Sequence, residues 1–344
     1  MRRLFIHTVP GFMPITDQFE PPRALRNGHV QSLLASLKLR APWIVRRARK
    51  LIDDEEFVIL DCANNVRLTG FYSATSDDGP LAVLIHGWEG SAQSQYMLST
   101  SAYLYARGYR VFRFQMRDHG DSHHLNEGLF HSCRIDEAVD GVGEVQRRFG
   151  LDQPVVLGGY SLGGNFSLRI GARAPDAGIA LSAIAAVCPV ADPAKTLLAM
   201  ENTTPVYEAY FMRKWRRSLR KKQELFPGVY DDPQWFTLKT MRELTEYLVE
   251  QYGFMKVEDY FKGYAITGDR LASLDAPSLI LAANDDPIIP PEDFGDIDPP
   301  DALHIVHTRF GGHCGYIDGF RQPTFADRAV HRWFSDALGD ATPA

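Results

Sequence analysis

Gly159-Tyr160-Ser161-Leu162-Gly163 sits between two contrasting neighbours. Before it, Pro154-Val155-Val156-Leu157 is an apolar run of strand length. After it, Phe166, Ile170 and Ala174 recur at i, i+4 spacing and mark one face of a helix. Pro175 stops that helix, because it has no N–H to give and its ring clashes one turn back. Strand, G-x-S-x-G and helix together describe a nucleophile elbow, a sharp turn that lifts the serine Oγ clear of the backbone. The glycines are needed because a Cβ at either position would strike neighbouring backbone. A serine in an ordinary surface turn is the plain alternative. The strand-turn-helix context argues against it, as do two partners that follow in the order Ser, Asp, His.

A chain of 344 residues accommodates two ordinary domains or one large α/β domain with an insertion. With 45% hydrophobic residues a sizeable core can be buried. A net charge of -6 gives no footprint for general nucleic-acid binding, so no nucleic-acid partner is expected. Cys62, Cys133, Cys188 and Cys314 lie far apart, with no C-x-x-C and no metal-ligand spacing. A reduced, cytoplasmic chain without a metal or organic cofactor is the expectation. The start, Met1-Arg2-Arg3-Leu4-Phe5-Ile6, resembles the charged end of a signal peptide. The apolar run breaks at His7, Pro10 and Pro14 follow, and no small-residue cleavage site is present, so no signal peptide is expected. No window approaches eighteen consecutive apolar residues, so no membrane span is expected either.

Working outward from Ser161, strands and helices alternate. Leu81-Ala82-Val83-Leu84-Ile85 reads as a strand buried on both faces, and a helix over about 94–107 closes at Gly108. Strands are expected over 109–115, 179–188, 278–283 and 303–308, and helices over about 134–149 and 323–338. Upstream, 56–61 and 66–72 read as two strands joined by an Asn64-Asn65 turn. This pattern predicts an α/β fold with a mostly parallel sheet flanked by helices. Residues 1–50 are punctuated by proline and too short to bury a core, and are expected to pack as an arm on a core of 51–192 and 275–344. Between them, 193–274 is crowded with aromatic residues and reads as a helical cap insertion.

A serine hydroxyl is a poor nucleophile near neutral pH unless a base takes its proton and an acid orients that base. Gly311-Gly312-His313-Cys314-Gly315 follows the last expected strand, and its glycines let the backbone bring an imidazole to Ser161. His86 and His119 also end strands, but both precede the serine. The candidate acid is Asp286, in Asn284-Asp285-Asp286-Pro287-Ile288-Ile289-Pro290 after the penultimate strand; Asp285 and Asp192 are its rivals. A developing oxyanion needs backbone N–H donors, expected from Leu162, the residue after the nucleophile, and from Trp88, beyond the strand that ends at Ile85. His86 is assigned a structural role in bonding loop backbone. Cys314, off the elbow, reads as a packing thiol.

Four stretches resemble the α/β-hydrolases, and more narrowly their YheT-like branch. They are Arg26-Asn27-Gly28-His29-Val30-Gln31, His86-Gly87-Trp88-Glu89-Gly90-Ser91 with Tyr96 soon after, Gly159-Tyr160-Ser161-Leu162-Gly163-Gly164-Asn165, and Gly311-Gly312-His313. The resemblance covers nearly the whole chain from about residue 20. It implies an α/β-hydrolase fold and a small-molecule ester or lipid substrate: short acyl esters, monoacylglycerols or phospholipids. Some relatives pass the acyl group to an alcohol, and some are anchored by an N-terminal membrane helix, which is not expected here. Relatives that cleave haloalkanes or epoxides carry aspartate at the elbow, so the serine excludes those chemistries. Arg117-Asp118-His119-Gly120 departs from the more neutral turn of the family and bears on substrate choice. Arg213, Lys214, Arg216, Arg217, Arg220, Lys221 and Lys222 read as a solvated helix face, with transient contact to an anionic membrane surface as the alternative. A non-catalytic, ligand-binding member of the fold is the remaining alternative; oligomeric state is not legible.

Overall fold

The computed structural model describes residues 19–150 and 152–339, so the reading of residues 1–14 as lacking a signal peptide lies outside the described residues. Strands β1 (Glu56–Asp61) and β2 (Arg67–Ser73) form a hairpin in which Asp61 faces Arg67. The turn is made by Asn64 and Asn65 at φ 55° and 58°, a region asparagine tolerates better than most residues. Then come β3 (Leu81–Ile85), β4 (Arg110–Gln115), β5 (Val155–Tyr160), β6 (Ala183–Val187), β7 (Ser278–Ala283) and β8 (Leu303–Thr308). They make one eight-stranded sheet of order β1-β2-β4-β3-β5-β6-β7-β8, antiparallel at β1 and β2 and parallel beyond. This is the α/β architecture the alternation predicts.

Every residue of β3 to β7 is buried, and β3, β5, β6 and β7 are nearly continuous apolar runs. Strand β4 instead interleaves polar residues and keeps Arg110, Arg113 and Gln115 buried through hydrogen bonds to Gly79 O, Ala92 O and Thr69 Oγ1. Helices cover both faces. The chain order is α1 (Gly28–Ser36), α2 (Ala41–Asp53), α3 (Gln95–Tyr105), α4 (Ile135–Phe149), α5 (Leu162–Arg173), α6 (Pro193–Asn202), α7 (Pro205–Leu225), α8 (Met241–Val249), α9 (Val257–Tyr264) and α10 (Phe325–Ala337). Residues of α2, α3 and α10 share one core with the sheet, including Ile44, Met97 and Trp333. Residues of α4 and α5 share the other, and α6 to α9 extend it, with Val142, Phe166, Trp215 and Leu244 among them. Among the described residues no helix is long and apolar enough to cross a membrane.

One expectation changes. The strand expected from Ile179 begins only at Ala183. Ile179 instead closes the end of α5, donating its N–H to Ala174 O at 2.9 Å, and lies close against Gly143 of α4. The N-terminal arm, expected to pack on the core, holds two helices. Asn27 caps α1, its Oδ1 accepting from Val30 N at 3.1 Å. In α2, Ile44, Ala48 and Leu51 are buried along one stripe, and the helix runs to Asp53, past the expected boundary at residue 50.

Candidate active site

Ser161 joins β5 to α5 at φ 53° and ψ -121°, a conformation that L-residues adopt only under constraint. Its N–H donates to Val187 O at 2.8 Å, which ties the turn to β6. A Cβ on Gly159 would lie 2.2 Å from Gly163 O, and one on Gly163 would lie 2.3 Å from Ile85 O. Both glycines of the motif are therefore sterically required.

The loop after β8 brings His313 to this serine. Its Nε2 lies 2.9 Å from Ser161 Oγ, and its Nδ1 lies 2.9 Å from Asp286 Oδ2. The Asp286 side chain is only 2% exposed, and its second oxygen accepts from the N–H groups of Ile288 at 2.8 Å and Ile289 at 3.0 Å. The carboxylate is thus fixed at both oxygens, and one of them is aimed at the imidazole. The rivals point elsewhere. Asp285 Oδ1 accepts from Gly312 N at 2.8 Å, and burial raises its pKa. Asp192 caps α6, accepting from Ala194 N at 2.9 Å and Lys195 N at 3.2 Å.

Trp88 and Leu162 line the same cavity as Ser161. Leu162 opens α5, and Trp88 stands in the loop after β3. That loop lies against the elbow: a Cβ on Gly87 would be 3.2 Å from Tyr160 O and 3.2 Å from Ser161 Cβ. Tyr96 OH accepts from Gly87 N at 3.0 Å. His86 Nδ1 lies 2.8 Å from Gly87 O while its Nε2 accepts from Met116 N at 3.3 Å. His119 is used in the same way, between Arg117 O at 2.7 Å and Glu89 N at 3.1 Å. Burial holds His86 well below the usual histidine range and lowers His119 to about 4, so both are neutral struts.

The cavity beside Ser161 is partly open and has a volume of about 110 Å³. Its wall is largely aromatic and apolar, with Trp215 and Phe211 from α7, Met200 and Leu197 from α6, and Tyr260 and Phe261 from α9. The Trp88 ring stacks on Phe211 (centroids 5.4 Å apart) and meets Trp215 edge-on (5.2 Å), so α7 packs directly on the loop after β3.

The charges of the Arg117-Asp118-His119-Gly120 turn are spent inside the protein. Arg117 donates to both carboxylate oxygens of Glu137, and Asp118 Oδ1 accepts from Lys222 Nζ at 2.7 Å. The turn therefore offers the cavity less charge than its sequence suggests. The basic cluster on α7 is divided in the same way. Lys222 is 1% exposed and also reaches carbonyls of His123, Asn126 and Gly128. Lys214 donates to Glu89 O at 2.7 Å and Arg216 to Leu238 O, while Arg213, Arg217 and Arg220 remain exposed.

The spacing of the cysteines in the sequence predicts no metal site. Folding nevertheless brings Cys188 Sγ, Cys314 Sγ and a ring nitrogen of His313 within 4.8 Å of one another. Both thiols are buried, and burial raises the Cys314 pKa well above the ordinary thiol range. A metal ligand must be the thiolate, and both His313 nitrogens are already engaged, so these residues fit packing better than metal binding. Sequence reasoning assigned no role to Ser32, whose Oγ accepts from His313 N at 2.8 Å. Its only signal was its place just after the Arg26–Gln31 motif.

The family model for the alpha/beta hydrolase fold matches residues 80–320. Over 310 residues, 88% of each chain, the sequence is 26% identical to YheT of Escherichia coli (strain K12), whose name describes it as an esterase. It is also 26% identical to slr0264 of Synechocystis sp., again named as an esterase, over 68% of this chain and 70% of that one. Esterase Pf2001 of Pyrococcus furiosus superposes with a TM-score of 0.55 at 18% identity, over 83% of this chain and 91% of the other, a likeness of fold. The match across both the elbow and the His313 loop shows that the chain belongs to the alpha/beta hydrolase fold family and is YheT-like within it.

Proposed function

We propose that this protein is a serine hydrolase of carboxylic esters. The reading rests on one observation, the continuous run of contacts from Ser161 Oγ through His313 to Asp286. In the proposed reaction Ser161 Oγ attacks the ester carbonyl as its proton passes to His313 Nε2. Asp286 holds Nδ1–H, fixes the tautomer and stabilises the imidazolium. The N–H groups of Trp88 and Leu162 receive the negative charge on the carbonyl oxygen. Collapse of the tetrahedral intermediate returns the proton to the leaving alkoxide and leaves an acyl-enzyme. Water, deprotonated by His313, then releases the acid and restores Ser161. The esterase names of its relatives agree with this chemistry.

The cavity narrows the substrate. A dry cavity of roughly 150 Å³ accommodates benzene, so about 110 Å³ suits a short acyl chain better than a palmitoyl chain. The direct test is hydrolysis of p-nitrophenyl esters from acetate to palmitate by wild type and Ser161→Ala. The expected result is turnover greatest for the short chains and lost in the variant. A folded wild type that turns over none of the series would overturn the reading. Product analysis with added alcohol separates transfer to water from transfer to an alcohol.

A further inference from the structure

We propose that helix α1 of the arm is a working part of the site, with Ser32 and Gln31 as positioning residues for His313 and Tyr207 linking them to α7. The inference rests on the reading of His313 as the base. The loop that carries His313 is rich in glycine and strained in its backbone. Glycines stand at 311, 312 and 315, and Gly312, Cys314 and Tyr316 all have positive φ. Such a segment holds an imidazole in register with a serine only if something outside it fixes its backbone.

Asp285 Oδ1 accepts from Gly312 N at 2.8 Å, and two consecutive residues of α1 fix the loop further on. Ser32, 3% exposed, donates its hydroxyl to Gly28 O at 2.6 Å and accepts from His313 N at 2.8 Å. Gln31 is fully buried. Its Oε1 accepts from Ile317 N at 2.8 Å, and its Nε2 donates to Ile317 O at 2.9 Å and to Leu25 O at 2.9 Å. The loop is therefore held by its backbone at His313 and again at Ile317. The fit is tight: a Cβ on Gly28 would lie 1.7 Å from Asp285 O, and one on Gly312 would lie 2.3 Å from Gly28 O. One helix thus presses on both loops that supply the acid and the base.

The same helix reaches α7. His29 Nδ1 lies 3.0 Å from Tyr207 OH, and the two rings stack with centroids 5.8 Å apart. Tyr207, Phe211 and Trp215 recur at i, i+4 and i+8, so one stripe of α7 touches the arm at its start and the Trp88 loop further on. Helix α7 therefore bears on the histidine side and on the oxyanion side of the cavity together.

The test compares wild type, Ser32→Ala and Tyr207→Phe by p-nitrophenyl acetate kinetics, by the rate of fluorophosphonate labelling of Ser161, and by the downfield Nδ1–H proton resonance of His313. Ser32→Ala is expected to lower kcat and the labelling rate about tenfold, with KM changed less than about twofold, and to broaden the resonance. Tyr207→Phe is expected to act the same way by a smaller factor, and the double variant to fall by less than the product of the two. Wild-type kcat, labelling and resonance in Ser32→Ala would overturn the proposal. Should Ser32→Ala not fold, the same three readouts in Tyr207→Phe decide it. If wild type neither turns over esters nor accepts the fluorophosphonate, the esterase reading fails by itself; broadening of the His313 resonance then still supports the hold by α1, and an unchanged resonance overturns it.

Discussion

A side chain held at positive φ costs roughly 1–3 kcal/mol, and Ser161 carries that strain while its N–H is pinned to Val187 O. Ser161→Gly is therefore expected to raise the melting temperature, by the equivalent of about 1 kcal/mol, while abolishing ester turnover. Ser161→Ala is expected to lose turnover without that gain, since alanine has the same steric limits at φ 53°. Thermal scans beside p-nitrophenyl acetate assays check both. Two of the candidate acids, Asp286 and Asp192, should separate cleanly. Asp286→Asn removes the carboxylate that faces His313 Nδ1 and is expected to lower kcat by about 10⁴. Asp192→Ala removes a helix cap and is expected to cost about 1 kcal/mol of stability with kcat retained. An Asp192→Ala variant with the larger loss of kcat would reverse the assignment.

Helix α7 shows how one element serves stability and site together. On one stripe it carries the rings that cover Trp88, and near its end Lys222 plugs a ring of carbonyls beside Asp118. Burial lowers the Lys222 pKa and raises that of Asp118, with each partner opposing the effect on the other. Lys222→Ala leaves the buried Asp118 carboxylate without its cation and several carbonyls without their donor, and is expected to destabilise the fold by about 3–5 kcal/mol. Arg217→Ala, on the exposed side of the same helix, is expected to stay within about 0.5 kcal/mol of wild type. Urea unfolding of both variants measures the contrast. Equal effects would mean that burial does not distinguish the two cations.

Across the whole molecule, buried titratable groups pull stability in opposite directions with pH. Burial lowers His119 to about 4 and His123 and His131 to about 3, and holds His86 lower than usual as well. Unfolded histidines take up protons near 6.5. Below that pH the unfolded chain binds more protons, so these histidines support the fold above about 6.5 and lose that support as pH falls towards 4. Histidine ring-proton shifts are expected to show His86 and His119 still neutral at pH 5; titration of either near 6.5 would contradict their burial. Glu89 has the other sign. Burial raises it to about 8, so its contribution is complete below its unfolded value near 4.5 and is lost as pH rises to about 8. Glu89→Gln is expected to gain melting temperature relative to wild type as pH goes from 5 to 8, and a constant difference would refute this.

Period and punctuation in the sequence determined the sheet, the elbow and the order of the triad candidates. Those signals are local: a strand buried on both faces, such as β3, is read as an apolar run, and a turn as tight as 159–163 admits only glycine at its flanks. Asp286 could be ranked against Asp285 and Asp192 by its place in the chain, but which carboxylate meets His313 depended on how two loops from different strands pack. Tertiary structure alone decided the rest. The charges of the 117–120 turn look like a substrate determinant in sequence and become a buried ion-pair network, because their partners lie on α4 and α7. The proline-punctuated arm gave no sign that Ser32 would hold the backbone of His313, a contact across 281 positions. Contacts at that separation leave no periodic trace, since they are specified by the closing of the sheet and the packing of helices around it.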